Sequence, residues 1–299
     1  MTTKKLEGII VPCITPFTEK GEIDLEALRV CTRFWIENGV DGLMPCGSNG
    51  EAPYLAREER RKIIATVLEE AKKGVTVVAG IGAPSTWETI QLTKDAADLG
   101  VDAALAVTPY YFRLSNREII SHYKAVLEAV DLPIILYSVP KFTGVTLEPA
   151  VIAELAKEYS HVVGVKDSGG NIATITETIN LVGEKIAVLA GTADVTLPTL
   201  VLGGKGAVIA VANPFPRLCA NLYKAFKEGQ HQKAAALQKA INHINEVLVK
   251  RYNQLSAIKE AMQMLGLPAG YPRKPALPLE ETAKKEVKNL VDWAANLKL

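Results

Sequence analysis

Short apolar runs alternate with longer amphipathic stretches along most of the chain. The short runs occupy residues 8–15, 42–47, 75–82, 103–109, 133–139, 162–168, 187–191 and 206–211. Runs this short and this apolar, bounded by Gly and Pro turns, predict strands buried on both faces. The amphipathic stretches at 25–37, 56–72, 86–99, 116–129 and 147–159 predict helices. Asp24, Ser85 and Ser115 stand just before three of them, where a side-chain oxygen can cap the first free N–H groups. Apolar strands separated by helices imply a parallel sheet covered on both sides. Eight such units predict a closed (β/α)8 TIM barrel. A doubly wound open sheet is the alternative, but no Gly-x-Gly-x-x-Gly follows the first strand. After Asn213 the strands stop, and helices are predicted at 214–229, 231–251, 253–265 and about 280–297. The barrel therefore spans 1–213. Residues 214–299 hold its last helix and a C-terminal helical region, continuous with it, since no linker-like composition separates the two.

Composition narrows the partners. Of 299 residues, 48% are hydrophobic, enough for a large core. The balance of 34 basic and 33 acidic residues gives a net charge of +1, which argues against nucleic acid or an acidic membrane surface as partner. Cys13, Cys31, Cys46 and Cys219 form no Cys-x-x-Cys pair, and Met1 to Lys5 lead into a strand-like segment without a signal-peptide core. No run is long enough to span a bilayer. A soluble, cytoplasmic protein with reduced thiols is expected.

In such a barrel, chemistry gathers at the C-terminal ends of the strands. Lys166 ends the sixth run, His161-Val162-Val163-Gly164-Val165-Lys166. Burying an ammonium favours the neutral amine, the nucleophile of Schiff-base chemistry. The plainer alternative is a lysine paired with Asp167 or lying at the rim. Around it the other strand ends bring Cys46-Gly47-Ser48-Asn49-Gly50-Glu51, Thr108-Pro109-Tyr110-Tyr111, Tyr137-Ser138-Val139-Pro140, Gly191-Thr192 and the segment from Val208 to Asn213. Tyr137 can relay protons to and from a carbinolamine, and Ser48 can pass a proton between phenols. Gly47 and Gly50 can leave N–H groups open for a carboxylate. Singly, each has a bland reading: Tyr110 or Tyr111 as packing aromatics, Tyr137 as a core tyrosine, the Gly-Ser-Asn-Gly segment as a tight turn. Together they describe a site for a 2-oxo acid. No His-Glu-x-x-His or Cys/His cluster suggests a metal site, and the four histidines (His122, His161, His231, His243) fall on helical segments or at the wrong end of a strand.

These motifs, in this order, resemble the dihydrodipicolinate synthase / N-acetylneuraminate lyase superfamily over nearly the whole chain. The resemblance implies that Lys166 is the Schiff-base lysine for pyruvate, with no cofactor beyond that imine, and that Tyr137 is the proton relay. It implies that Ser48 and Asn49 bind the carboxylate, that Val208 lines the pocket, and that Tyr111 reaches a neighbouring subunit in a homotetramer built as a dimer of dimers. In the synthase branch an arginine two residues after the corresponding proline binds the aldehyde's carboxylate; here that position is Phe142, which cannot form the bidentate pair. Lys141 is adjacent, with its side chain expected to point elsewhere. Gly-Ser-Asn-Gly-Glu and Tyr-Ser-Val-Pro are closer to the 4-hydroxy-2-oxoglutarate and 2-keto-3-deoxy-acid aldolases. The expected reaction is therefore class I cleavage of a 4-hydroxy-2-oxo acid to a 2-oxo acid and an aldehyde. The site set is catalytic Lys166, Tyr137, Ser48 and Tyr111, with Gly47, Asn49, Gly50, Phe142, Gly191 and Val208 binding substrate. The first alternative is 4-hydroxy-tetrahydrodipicolinate synthase, condensing pyruvate with aspartate semialdehyde, with Arg113 as the nearest substitute arginine. The second is a non-catalytic 2-oxo-acid sensor.

Overall fold

The computed structural model describes residues 6–71 and 74–297. Eight parallel strands close into a barrel in sequence order, with β8 pairing back onto β1. They are β1 (Gly8–Val11), β2 (Gly42–Leu43), β3 (Thr76–Gly80), β4 (Ala103–Val107), β5 (Ile134–Ser138), β6 (Val162–Asp167), β7 (Ala187–Ala190) and β8 (Gly206–Val208). Period-two alternation divides their side chains between two apolar cores. Ile10, Val78, Leu105, Ile135, Tyr137, Leu189 and Val208 belong to the core inside the barrel. Ile9, Val77, Ala104, Leu136, Val165 and Val188 belong to the larger core between the barrel and its helices. The TIM barrel expected from the hydrophobic pattern is thus present, and the open sheet is excluded.

One irregularity sets the site. The pairing of β5 with β6 shifts between Ile134 and Ile135, whose partners are Val162 and Gly164. A bulge at Val163 absorbs the extra residue. Beyond it Tyr137 lies opposite Lys166, and Lys166 opposite Leu189. Without the shift Val165 would face Tyr137, and Lys166 would lie one residue out of step with its inward-facing neighbours.

The expected strands share their starts with the observed ones to within a residue but run too long at their C-terminal ends. Residues 44–47 and 209–211, for instance, are loop or 3-10 turn rather than strand. The mouth of the barrel is itself buried, so its loops carry the same apolar composition as strands. Helices follow the amphipathic stretches closely: Leu25–Glu37, Arg57–Ala71, Thr86–Leu99, Asn116–Ala129 and Pro149–Glu158. Lys72, the expected end of the second, lies outside the described residues, as do Met1 to Lys5. Asp24, Ser85 and Ser115 all cap as expected, Ser115 within a full capping box with Glu118. The helix expected at 231–251 is α-helical over His231–Asn245 and continues as a π-helix over Glu246–Arg251. Its wider turn delivers the chain to the barrel mouth, where helix Gln254–Met264 begins. The last helix is Glu281–Ala295. Among the described residues, no helix is long and apolar enough to cross a membrane.

Candidate active site

Lys166 is 3% exposed on β6, inside the C-terminal mouth of the barrel. Its Nζ lies 4.2 Å from the centre of the Tyr137 ring. Among the described residues no carboxylate pairs with it. Asp167 turns away and accepts the Gly169 N–H at 2.8 Å, and burial holds its carboxyl above the usual range. The paired-lysine alternative is therefore excluded.

The hydroxyl beside the Tyr137 phenol is that of Ser168, at 3.3 Å. Ser168 also donates to the Gly191 carbonyl at 3.0 Å. One hydroxyl proton cannot serve both contacts, so with its proton on Gly191 the Ser168 oxygen is free to accept from the phenol. That arrangement gives Tyr137 a partner for moving a proton. Gly191 must be glycine, because a Cβ there would stand 2.2 Å from Ser168 Oγ and 2.7 Å from the Asp167 carbonyl oxygen.

Opposite, the loop after β2 is tightly wound. Cys46 and Glu51 both take positive φ, 59° and 58°, and Gly80 leaves room for the Cys46 carbonyl, which would come within 2.0 Å of any Cβ. Burial pushes the Cys46 thiol up to about 12, which makes it an inert packing group. The N–H groups of Ser48 and Asn49 have no acceptor among the described residues. Two consecutive open amides on the wall of the cavity that holds a buried amine suit a carboxylate. Gly50 does not supply a third, contrary to the expectation from sequence. Its N–H donates to Gly47 at 3.0 Å, its carbonyl accepts from Thr15 at 2.8 Å, and a Cβ would press on Cys13 at 2.9 Å. It shapes the loop.

An inner cavity of about 80 Å³ holds Lys166, Ser48, Asn49, Tyr137, Ser168, Gly191 and Val208. An outer one of about 430 Å³ opens from it and is lined by Gly47, Tyr110 and Val107 among others. Ser48, Tyr137, Phe142, Lys141 and Gln254 border both. Lys141 therefore faces the site, correcting the expectation that it points away. It stands in a short helix, Pro140–Thr143, that turns it over the cavity. Tyr111 lines neither cavity of this chain: it is 88% exposed, with φ 87° and its ring edge-on to Phe112. Arg113 is exposed and also lines neither.

Several site residues escaped the sequence reading. Ser168 carried a signal: it lies two residues beyond Lys166, just past the end of β6, where the alternation of the strand would keep it on the same face. Gln254 carried none. It comes from the C-terminal helical region, where its Nε2 donates to Asn49 Oδ1 at 3.0 Å and its Oε1 accepts from Lys141 at 3.4 Å. Lys259 was also missed. It is 1% exposed, bonded to Glu51 at 2.5 Å and to the Tyr271 carbonyl at 2.7 Å. Burial pulls its ammonium down to about 8 against the opposing pull of Glu51.

Comparison with known proteins agrees with this fold and shows the family. The model of the dihydrodipicolinate synthetase family matches residues 5–294. A 4-hydroxy-tetrahydrodipicolinate synthase of Methanothrix thermoacetophila is 37% identical over 291 residues, 97% of each chain. The solved structure of YagE, a prophage protein of the dihydrodipicolinic acid synthase family from E. coli K12 in complex with pyruvate, is 33% identical and superposes with a TM-score of 0.93 over 98% of this chain and all of that one. A monomeric dihydrodipicolinate synthase variant superposes equally well, TM-score 0.93 at 30% identity over 98% of each chain. The chain belongs to the dihydrodipicolinate synthetase family and is an enzyme of its lyase class rather than a non-catalytic sensor.

Proposed function

We propose that the chain is a class I, pyruvate-dependent lyase whose covalent intermediate forms on Lys166. The observation that carries this is a buried lysine with no counter-ion among the described residues, 4.2 Å from a tyrosine ring, in a small cavity at the barrel mouth. The amine adds to the pyruvate ketone, giving a carbinolamine. Protonation of its hydroxyl, with Tyr137 as the acid and Ser168 as its partner, releases water and leaves an iminium. Loss of a C3 proton gives the enamine. The enamine carbon bonds to an aldehyde carbon, whose oxygen takes up a proton, and attack of water or an internal amine on the iminium frees Lys166. The protonated imine is the electron sink, so the scheme calls for no metal or organic cofactor. Ser48 and Asn49 hold the pyruvate carboxylate through their N–H groups.

For the second substrate, the similarity to 4-hydroxy-tetrahydrodipicolinate synthases supports aspartate semialdehyde, and hence the synthase reaction, ahead of the cleavage reaction expected from sequence. Phe142 favours the second reading, retro-aldol cleavage of a 4-hydroxy-2-oxo acid, because it puts an apolar ring where a charged anchor would serve. Steady-state rates separate the two. Turnover of pyruvate with aspartate semialdehyde, and none of 4-hydroxy-2-oxoglutarate, supports the synthase; the reverse pattern replaces it with the aldolase. We also infer a homotetrameric assembly, supported by the exposed Tyr111 and Phe112 beside the site, and a cytoplasmic setting, supported by four buried, unpaired thiols. Light scattering tests the assembly directly: a mass of one chain would remove it.

A further inference from the structure

Lys141 is the only cation besides Lys166 that borders the two cavities among the described residues, and no carboxylate pairs with it. The one acidic side chain on the cavity walls, Glu51, is already neutralised by Lys259 at 2.5 Å and bound by the Arg273 N–H at 2.8 Å. The walls therefore present two amino groups with no carboxylate partner among the described residues. One is the buried amine that takes the ketone. The other stands at the outer cavity, where the aldehyde partner must enter.

Lys141 is also held in place. Its ammonium donates to Gln254 Oε1 at 3.4 Å, and the other end of that amide is fixed by Asn49 Oδ1 at 3.0 Å. The ammonium is exposed on its outer side and lies 5.4 Å from the centre of the Phe142 ring, itself 48% exposed. The amide links it to Asn49, whose own N–H is open for the pyruvate carboxylate.

We infer that Lys141 is a specificity-determining residue that binds a carboxylate on the aldehyde substrate, with Gln254 as its positioning residue. The two-lysine site then selects a 2-oxo acid at one end and an anionic aldehyde at the other. Phe142, beside it, supplies the apolar wall for the methylene groups between aldehyde and carboxylate. This inference rests on the proposed pyruvate imine at Lys166.

The test compares succinic semialdehyde with butanal, which has the same chain length but no charge. Discrimination is the ratio of their kcat/KM values with pyruvate. In Lys141→Gln it is expected to fall roughly tenfold or more, mainly through KM for the acid, because a charge-assisted hydrogen bond is lost. Lys141→Arg is expected to restore most of it. Gln254→Ala, which frees the ammonium without removing it, is expected to lose less. Borohydride trapping of pyruvate is run on every variant. Trapping on Lys166 with unchanged discrimination in Lys141→Gln overturns this inference alone. Equal losses for both aldehydes overturn it too. Absence of trapping in the wild type removes the imine reading on which it rests.

Discussion

Lys166 and Lys259 are both buried lysines bordering the loop after β2, 3% and 1% exposed, and their surroundings are opposite. Lys259 gives its ammonium to Glu51 and to the Tyr271 carbonyl, above the face of Phe17 at 4.6 Å. Those contacts tie helix Gln254–Met264 and the segment after it to the mouth of the barrel. Lys166 has the Tyr137 ring and a cavity. Burial of an ammonium is costly in both places. At Lys259 the protein offsets the cost and gains a structural tie; at Lys166 it leaves the amine open to a substrate. The contrast teaches that burial alone does not mark a catalytic lysine. Burial without a counter-ion, next to a cavity, does.

The sharpest way to break the contrast is to remove each lysine and read activity and stability separately. Lys166→Ala is expected to lower kcat on the order of 10⁴-fold or more, since no other group can form the imine. Its melting temperature should be equal to or above the wild type's, because an unpaired buried amine has gone. A variant with substantial residual turnover would contradict the assignment. Lys259→Met should behave oppositely. Stranding the Glu51 carboxylate in the interior costs about 3–5 kcal/mol, measured by denaturant unfolding. Adding Glu51→Gln should recover part of that loss, and a single variant as stable as the wild type would show the tie to be incidental.

Tyr137 sharpens the chemistry on the Lys166 side. Tyr137→Phe keeps the ring against the lysine and removes the phenol. It should slow turnover about 10²-fold or more while pyruvate can still be trapped slowly. A normal rate would move the relay elsewhere.

The smallest effect concerns a third buried group. His122 bonds Thr86 Oγ1 at 2.9 Å through Nδ1, while its Nε2 is buried without a partner. Burial lowers its pKa from 6.5 to about 4. The unfolded chain therefore takes up a proton near 6.5, and the folded chain not until about 4. Stability from this group is fully present above pH 6.5 and is lost as pH falls to about 4, by up to about 3 kcal/mol. His122→Gln should flatten that part of the stability profile; an unchanged slope would assign it to other groups.

The barrel was legible because its signal is redundant. Eight apolar runs each repeat the same pattern, and three caps punctuate the helices between them. Lys166 and Tyr137 were legible because each ends such a run, where the fold places chemistry. The bulge at Val163 that brings them opposite each other was hidden, since it depends on pairing register rather than on local composition. Lys259 with Glu51, and Gln254 with Asn49 and Lys141, were hidden for a related reason. Lys259 and Glu51 are 208 residues apart, and Gln254 and Asn49 205 residues apart. No local spacing reports contacts that only the closed fold creates. Lys141 was misread because the turn after β5 is a short helix, whose rotation cannot be judged from the strand pattern before it.

The contrast between the two lysines can be tested most directly in one experiment. The protein is incubated with pyruvate, reduced with borohydride, digested and mapped by mass spectrometry. The expected result is a single reduced pyruvate adduct on Lys166 and none on Lys259. An adduct on Lys259, or none in a folded, monodisperse preparation, would contradict the role given to the unpaired lysine.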